Sequence, residues 1–311
     1  CIRDRCQALQ DRAVHVTAMA RHNQPGPWNE FVSADLSMGA ELSAFHDVDV
    51  VFHLAGRVHA ISDSAAARVQ YRSDIVGATE NVVAACTATD VKRLVFVSSI
   101  KAMGDGGNRQ LDEASPGVPE TPYGIAKKQA EELVLDGRVD GCVLRPAMVY
   151  GVGNKGHLPM MISSIARRRF PPLRYFGNRR SMVHVEDLVE AILLAAEHGE
   201  SKSQIYIVTD GQPYSTGDIY LAIRDALSMG SPIFSVPPTV LRTLGLVGDV
   251  IGAMRGRRVI FDSQSVDRLL GSAWFSSAKI VKTLGFRPKM SLGLALPQIV
   301  ESMGLNGRYN G

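Results

Sequence analysis

The sequence predicts an α/β fold: a doubly wound parallel sheet with helices on both faces, joined to a smaller C-terminal lobe. Three observations carry this. Short apolar runs that read as strands alternate with longer helical patterns through the first half of the chain. Those runs are nearly continuous in Val, Ile, Leu and Phe, as strands buried on both faces are. The chain has 311 residues, 45% of them hydrophobic and 21% charged. That is enough for one large domain or two coupled ones, and it excludes a disordered or fibrous chain.

In chain order, a strand is expected over 14–20 and a short one over 31–34, then a helix over about 39–46. A strand follows over 49–54, around the run Val-Asp-Val-Val-Phe-His-Leu. One long helix is expected over 65–88 and an apolar strand over 93–97, leading into Ser98-Ser99. A helix over 123–136 and a strand over 141–145 complete the alternation. After Pro146 the pattern is irregular, rich in Gly and Pro as far as Pro172. A helix over 185–198 and a strand over 204–209 then resume it, and the tail from Gly211 mixes helices with Pro-rich turns. Residues 1–150 with about 183–209 are expected to form the sheet domain, and 151–182 with 210–311 the smaller lobe. Ligands of such sheets bind beyond the carboxyl ends of the strands.

The net charge of +3 gives no reason to expect nucleic acid, and no basic stretch is interleaved with aromatics. Arg167, Arg168 and Arg169 form the one triple basic run, which reads as a solvated helix end. The cysteines, Cys1, Cys6, Cys86 and Cys142, form no Cys-x-x-Cys pair. With no His at zinc spacing, no metal is expected, and free thiols in a reducing cytoplasm are. The most apolar stretch, 236–254, is interrupted by Pro237, Pro238, Arg242 and Asp249. It reads as an amphipathic helix packed on the domain, not a transmembrane span. The first residue is Cys1, so the true beginning is expected to lie upstream.

The chemistry centres on Tyr123-Gly-Ile-Ala-Lys127. Spacing of four places phenol and ammonium on one face of a helix. An ammonium near a phenol favours the phenolate and lowers its pKa, so Tyr123 could exchange a proton with a hydroxyl or carbonyl near neutrality. Ser99, just past a strand end, can hydrogen-bond the reacting oxygen. Each also has a plainer reading: a turn-capping serine and an ordinary amphipathic helix start after Pro122.

In context these segments are similar to those of the extended short-chain dehydrogenases/reductases, the NAD-dependent epimerase/dehydratase family. The matching stretches are Ala34-Asp-Leu36, Val51-Phe-His-Leu-Ala-Gly56, Phe96-Val-Ser-Ser99, Pro122-Tyr-Gly-Ile-Ala-Lys127, Leu144-Arg-Pro-Ala-Met-Val-Tyr-Gly151 and Arg180-Ser-Met-Val-His-Val-Glu-Asp187. The resemblance implies a Rossmann-type fold and a hydride passing between nicotinamide and a sugar carbon. It makes Tyr123 the acid/base, Ser99 its hydroxyl partner and Lys127 the ribose-binding residue that tunes it. It also places Asp35 and Leu36 near adenine, Leu54, Ala55 and Gly56 along the dinucleotide, and Lys127 with Pro146 and Val149 beside the nicotinamide. Arg21, at the end of the second strand, suits the 2′-phosphate of NADP(H) better than the free hydroxyls of NAD, and also suits a solvated loop.

For the substrate, the resemblance implies a UDP-sugar. Arg180 would hold the diphosphate with its forked guanidinium, and Arg268 would be a second contact. Lys155, His157, Leu158 and Phe176 would lie by the nucleoside, and Lys101, Ser99 and Tyr123 by the sugar. The sub-motifs Ser98-Ser-Ile-Lys101, Asn178-Arg-Arg-Ser181, Thr209-Asp-Gly211 and Arg268-Leu-Leu-Gly-Ser272 are similar to those of bacterial 4-epimerases and 4-ketoreductases of UDP-N-acetylhexosamines in surface polysaccharide synthesis. A non-catalytic dinucleotide sensor and an inactive truncated member are the alternatives. A homodimer through a four-helix bundle is expected, built from 65–88 and 123–136.

The chain departs from the family pattern in three places. The opening strand and its Gly-x-x-Gly-x-x-Gly phosphate loop are expected to be absent from this chain, because the first glycine is Gly26 and residues 6–21 fit the helix and strand that follow such a loop. Asp74 stands where the family usually has Asn, and Met103 where Tyr often precedes the glycine at Gly104.

Overall fold

The computed structural model describes residues 2–23, 25–54, 56, 65–154, 156–173, 176–255 and 262–305. Helix α1 (Ile2–Gln10) leads into strand β1 (Thr17–Ala20), which pairs in parallel with β2 (Glu30–Ser33). Strands β3 (Val50–His53), β4 (Arg93–Val97), β6 (Gly141–Pro146) and β9 (Ile205–Val208) form a parallel sheet in the order β3-β4-β6-β9. Among the described residues β1 pairs only with β2 and β3 only with β4, so no ladder joins the two sheets. The α/β architecture and the parallel strands follow the expectation.

Alternate residues of the strands face opposite layers. Leu94, Phe96 and Val143 pack under helices α3 (Ala78–Ala88) and α4 (Pro122–Val134), with Val82, Val83, Ala126 and Ala130. Val95, Cys142 and Leu144 face α6 (Val185–Glu197) and α10 (Ala278–Leu284), through Leu188, Ile192 and Ile280. Full burial of each such side chain contributes about 1.5–3 kcal/mol.

A second hydrophobic core gathers α5 (His157–Ala166), α7 (Thr216–Ala226) and α11 (Leu292–Ser302) around Ile162, Ile219, Leu296 and Ile299. Leu241 of α8 (Pro238–Met254) and Val266 of α9 (Ser263–Leu270) close it. A small sheet joins the cores: β7 (Met148–Tyr150) pairs with β8 (Arg180–His184), and β8 with β10 (Pro213–Tyr214). Beside it, β5 (Gln110–Leu111) pairs with β11 (Trp274–Phe275).

Two helices differ from expectation. The segment expected to be one helix over 65–88 is α-helical over α2 (Ala65–Tyr71), π-helical over Arg72–Gly77, then α-helical again as α3. The wider π turn buries Asp74, Ile75 and Val76 in succession. The helix expected over 39–46 shrinks to a 3-10 turn, Leu42–Phe45. Its flanks explain this: Gly39 and Asp47 hold positive φ angles of 145° and 59°, outside helical space.

Cys6, Cys86 and Cys142 are buried and form no disulfide, and burial pushes Cys86 and Cys142 up to about 12. Cys1 lies outside the described residues. No described helix is long and apolar enough to cross a membrane.

Candidate active site

The carboxyl ends of β3, β4 and β6 converge on one edge. There β4 ends at Val97, and Ser98-Ser99 turn into a 3-10 segment, Ile100–Ala102. Ser99 caps that turn, its Oγ accepting from the Lys101 amide at 3.2 Å. Opposite, Thr121 caps α4 by accepting from the Gly124 amide at 3.1 Å, and Pro122 occupies the first turn. This is a standard helix start, and it aims Tyr123 at the serine. The Ser99 hydroxyl lies beside the phenol, near enough to favour its ionised form.

Gly124 is required by packing. A Cβ there would stand 2.2 Å from the Lys101 carbonyl oxygen, so the start of α4 touches the 3-10 turn directly. One turn on, Lys127 is almost fully buried. Its Nζ donates to the Val97 carbonyl at 3.0 Å and lies 4.6 Å from the Phe96 ring centroid. Burial pulls its pKa down to about 8, against the opposing pull of Glu131.

The expectation that Lys127 lowers the Tyr123 pKa is not met in this state. Burial pushes Tyr123 up to about 12, and the hydrogen bond from Ser99 only partly offsets this. The ammonium is directed at Val97, so Tyr123 rests as a protonated phenol. Its ring meets Tyr71 edge-on at 5.7 Å.

The next position on that helix face was not singled out from the sequence. Glu131 receives Arg145 in a buried fork, Nε to Oε1 at 2.9 Å and Nη2 to Oε2 at 2.6 Å. Ser98 Oγ donates to the same carboxylate at 2.5 Å. This ties α4, β4 and β6 together behind the Ser99–Tyr123 pair. The spacing Tyr123, Lys127, Glu131 was the available signal. His53 at the end of β3 was also missed. It stacks on Phe96, meets Thr79 Oγ1 at 3.0 Å, and is held neutral by burial, which lowers it to about 3.

Along the expected dinucleotide path, Gly56 has φ +149°, and a Cβ there would lie 3.5 Å from Lys127 Nζ. Leu54 is half-buried. Ala55 lies outside the described residues. Pro146 ends β6 and Val149 is half-buried in β7. Asp35 is exposed and accepts from the amide and hydroxyl of Ser37 at 3.0 and 2.7 Å, which lower its pKa. The Leu36 carbonyl accepts from Asn81 at 2.8 Å, and Arg21 is exposed just past β1.

On the expected substrate side, Arg180 at the start of β8 donates to the main-chain carbonyl of Arg268. Sheet and helix α9 thus bring these two residues together. Burial lowers the Arg180 pKa while Asp105 opposes it. Lys101 Nζ pairs with that same Asp105 at 2.5 Å. Phe176 packs against the second core, His157 is exposed, and the Leu158 side chain is committed to that core. Lys155 lies outside the described residues. Among the described residues no cluster of three or more His, Cys, Asp or Glu could hold a metal.

A parallel sheet with a Ser–Tyr–Lys set at its carboxyl edge defines a short-chain dehydrogenase/reductase. The chain belongs to the NAD dependent epimerase/dehydratase family, whose model matches residues 3–209. The UDP-glucose 4-epimerase of Vibrio cholerae is 28% identical over 264 residues, covering 81% of this chain and 76% of that protein. Short-chain dehydrogenase/reductase family 42E member 1 of Mus musculus is 28% identical over 314 residues, covering 91% and 78%. The solved structure of MoeE5 in complex with UDP-glucuronic acid and NAD has the same fold, with a TM-score of 0.75 at 22% identity over 96% of this chain and 94% of that one.

Proposed function

We propose that the protein is an NAD(P)-dependent 4-epimerase or 4-ketoreductase of a UDP-hexose or UDP-N-acetylhexosamine, supplying a surface polysaccharide precursor in the cytoplasm. The carrying observation is the Ser99 hydroxyl beside the Tyr123 phenol, one helical turn from the buried Lys127. Residues 1–150 with about 183–209 take the dinucleotide in this reading, and 151–182 with 210–311 take the nucleotide sugar.

The residues present fit a nicotinamide riboside. Gly56 offers a main-chain wall free of a side chain, and the Lys127 ammonium carries three protons, of which Val97 receives one. The bound dinucleotide supplies the donor or acceptor of hydride. Tyr123 passes its proton to or from the sugar O4. Ser99 donates a hydrogen bond to that oxygen and lowers the cost of charge developing on it. Lys127 would hold the ribose, and its charge, turned from Val97 toward the phenol, would lower the phenol's pKa. Arg180, brought against α9, neutralises diphosphate. Arg21 favours NADP(H), and the exposed Val69 and Ile125 on α2 and α4 suit a homodimer through those helices.

Calorimetry of the intact protein with UDP, UDP-N-acetylglucosamine, NAD and NADPH tests this. Saturable binding of both a uridine diphosphate ligand and a dinucleotide is expected. A folded protein that binds dinucleotide and ignores every uridine diphosphate ligand would overturn the substrate assignment.

A further inference from the structure

Helix α8 is the least explained element of the fold. Leu241, Gly245 and Gly248 form its buried side. Gly245 lies so close to α9 that a Cβ there would meet the Ser263 main chain at 3.0 Å. The helix is therefore fixed flat against the lobe. Its outward arc carries Leu244, Leu246, Val247, Val250, Ile251 and Met254, with Leu246 and Val250 each 61% exposed and Met254 83%. The chain running into the helix adds Ile233 at 98% and Phe234 at 67%. A contiguous apolar surface of this kind marks an interaction site.

Charge selects the occupant. On a helical projection at 100° per residue, Arg242 and Arg255 fall on the two flanks of the apolar arc, both exposed. The one acidic residue of the helix, Asp249, accepts from the Ser263 amide at the start of α9. The Val236 amide donates to the Pro172 carbonyl at 2.9 Å. That ties the approach to α8 to the segment just after the exposed Arg167, Arg168 and Arg169. An anionic surface is complementary to all of them.

We propose that α8 docks the protein peripherally on an anionic lipid surface, its apolar arc sunk into the headgroup boundary and its arginines on lipid phosphates. Such binding needs both buried apolar area and cationic flanks. It does not depend on which substrate the active site takes.

Flotation of the intact protein with vesicles of equal parts phosphatidylglycerol and phosphatidylcholine, and with phosphatidylcholine alone, tests this. The protein should float with the anionic vesicles, poorly with the neutral ones, and less in high salt. Arg242→Gln and Arg255→Gln should each lower partition about fivefold. Val250→Glu, on the outward arc, should abolish it while leaving the thermal transition and dinucleotide binding unchanged, and Leu246→Gln serves if that variant fails to fold. Absence of flotation, flotation indifferent to these substitutions, or a self-association that Val250→Glu abolishes would each overturn the proposal.

Discussion

Lys127 donates to the main-chain carbonyl of Val97 at 3.0 Å, two residues before the serine that meets Tyr123. The lysine therefore locks α4 to the end of β4 and directs its charge at that carbonyl. Removing it should disturb geometry as well as electrostatics. Lys127→Met should lower kcat by about 10²-fold or more, within the range of acid–base contributions, and weaken dinucleotide binding. Arg at this position should restore charge without restoring turnover, because the fork cannot occupy the ammonium's place. Steady-state kinetics with calorimetry separate the two effects.

Lys127 also imposes a stability slope. Its pKa is about 8 in the fold against 10.5 ordinarily. Between those values the unfolded chain keeps a proton that the folded protein has released, so stability rises with pH across that window. Below about pH 8 both states are protonated and the cost of the buried charge is constant. The stability advantage of Lys127→Met should thus shrink between about pH 8 and 10, by at most about 3 kcal/mol. Urea unfolding of both proteins against pH reads this directly, and a flat difference would refute it. Tyr123, raised to about 12, contributes the opposite slope, but only above about pH 10.

Tyr123→Phe removes the transferable proton and keeps the ring against Tyr71. Turnover should fall by about 10²–10⁴-fold with binding of uridine diphosphate ligands unchanged. Loss of binding in parallel would mean that Tyr123 holds substrate instead of moving its proton.

The Glu131–Arg145 fork is buried on both sides. Glu131→Gln should destabilise the fold by about 3–5 kcal/mol, since it leaves an uncompensated guanidinium in the interior. Replacing both residues, Glu131→Leu with Arg145→Met, should cost less than either single change. Chemical denaturation gives the comparison.

Arg180→Ala should weaken UDP binding by about 10–100-fold, the loss of a charge-assisted contact, and leave dinucleotide affinity unchanged. Equal loss of both ligands would show that the arginine supports the fold of the lobe.

Much of this was legible in the sequence. The strand over 93–97 was placed to the residue, because Leu94, Val95 and Phe96 form a continuous apolar run sealed on both faces. The α4 start was legible from Pro122 and the serine–tyrosine–lysine order. Less legible were features that depend on three-dimensional neighbours. The π turn at Arg72–Gly77 leaves the same helical periodicity on either side, so the sequence reads as one helix. The direction of the Lys127 ammonium is set by a carbonyl 30 positions away. Burial of Glu131 is invisible until Arg145 and Ser98 are folded onto it.

The contact at Gly124 has a consequence for substrate choice. A hydrogen atom alone separates the helix bearing the phenol from the turn bearing the serine, so the span between the two hydroxyls is gauged by backbone against backbone. A side chain added at Gly124 itself would force the two apart. Whatever ligand enters must present its reacting oxygen at one fixed calibre. The contact between Arg180 and α9, by contrast, is made through a side chain and can be reset without disturbing this spacing.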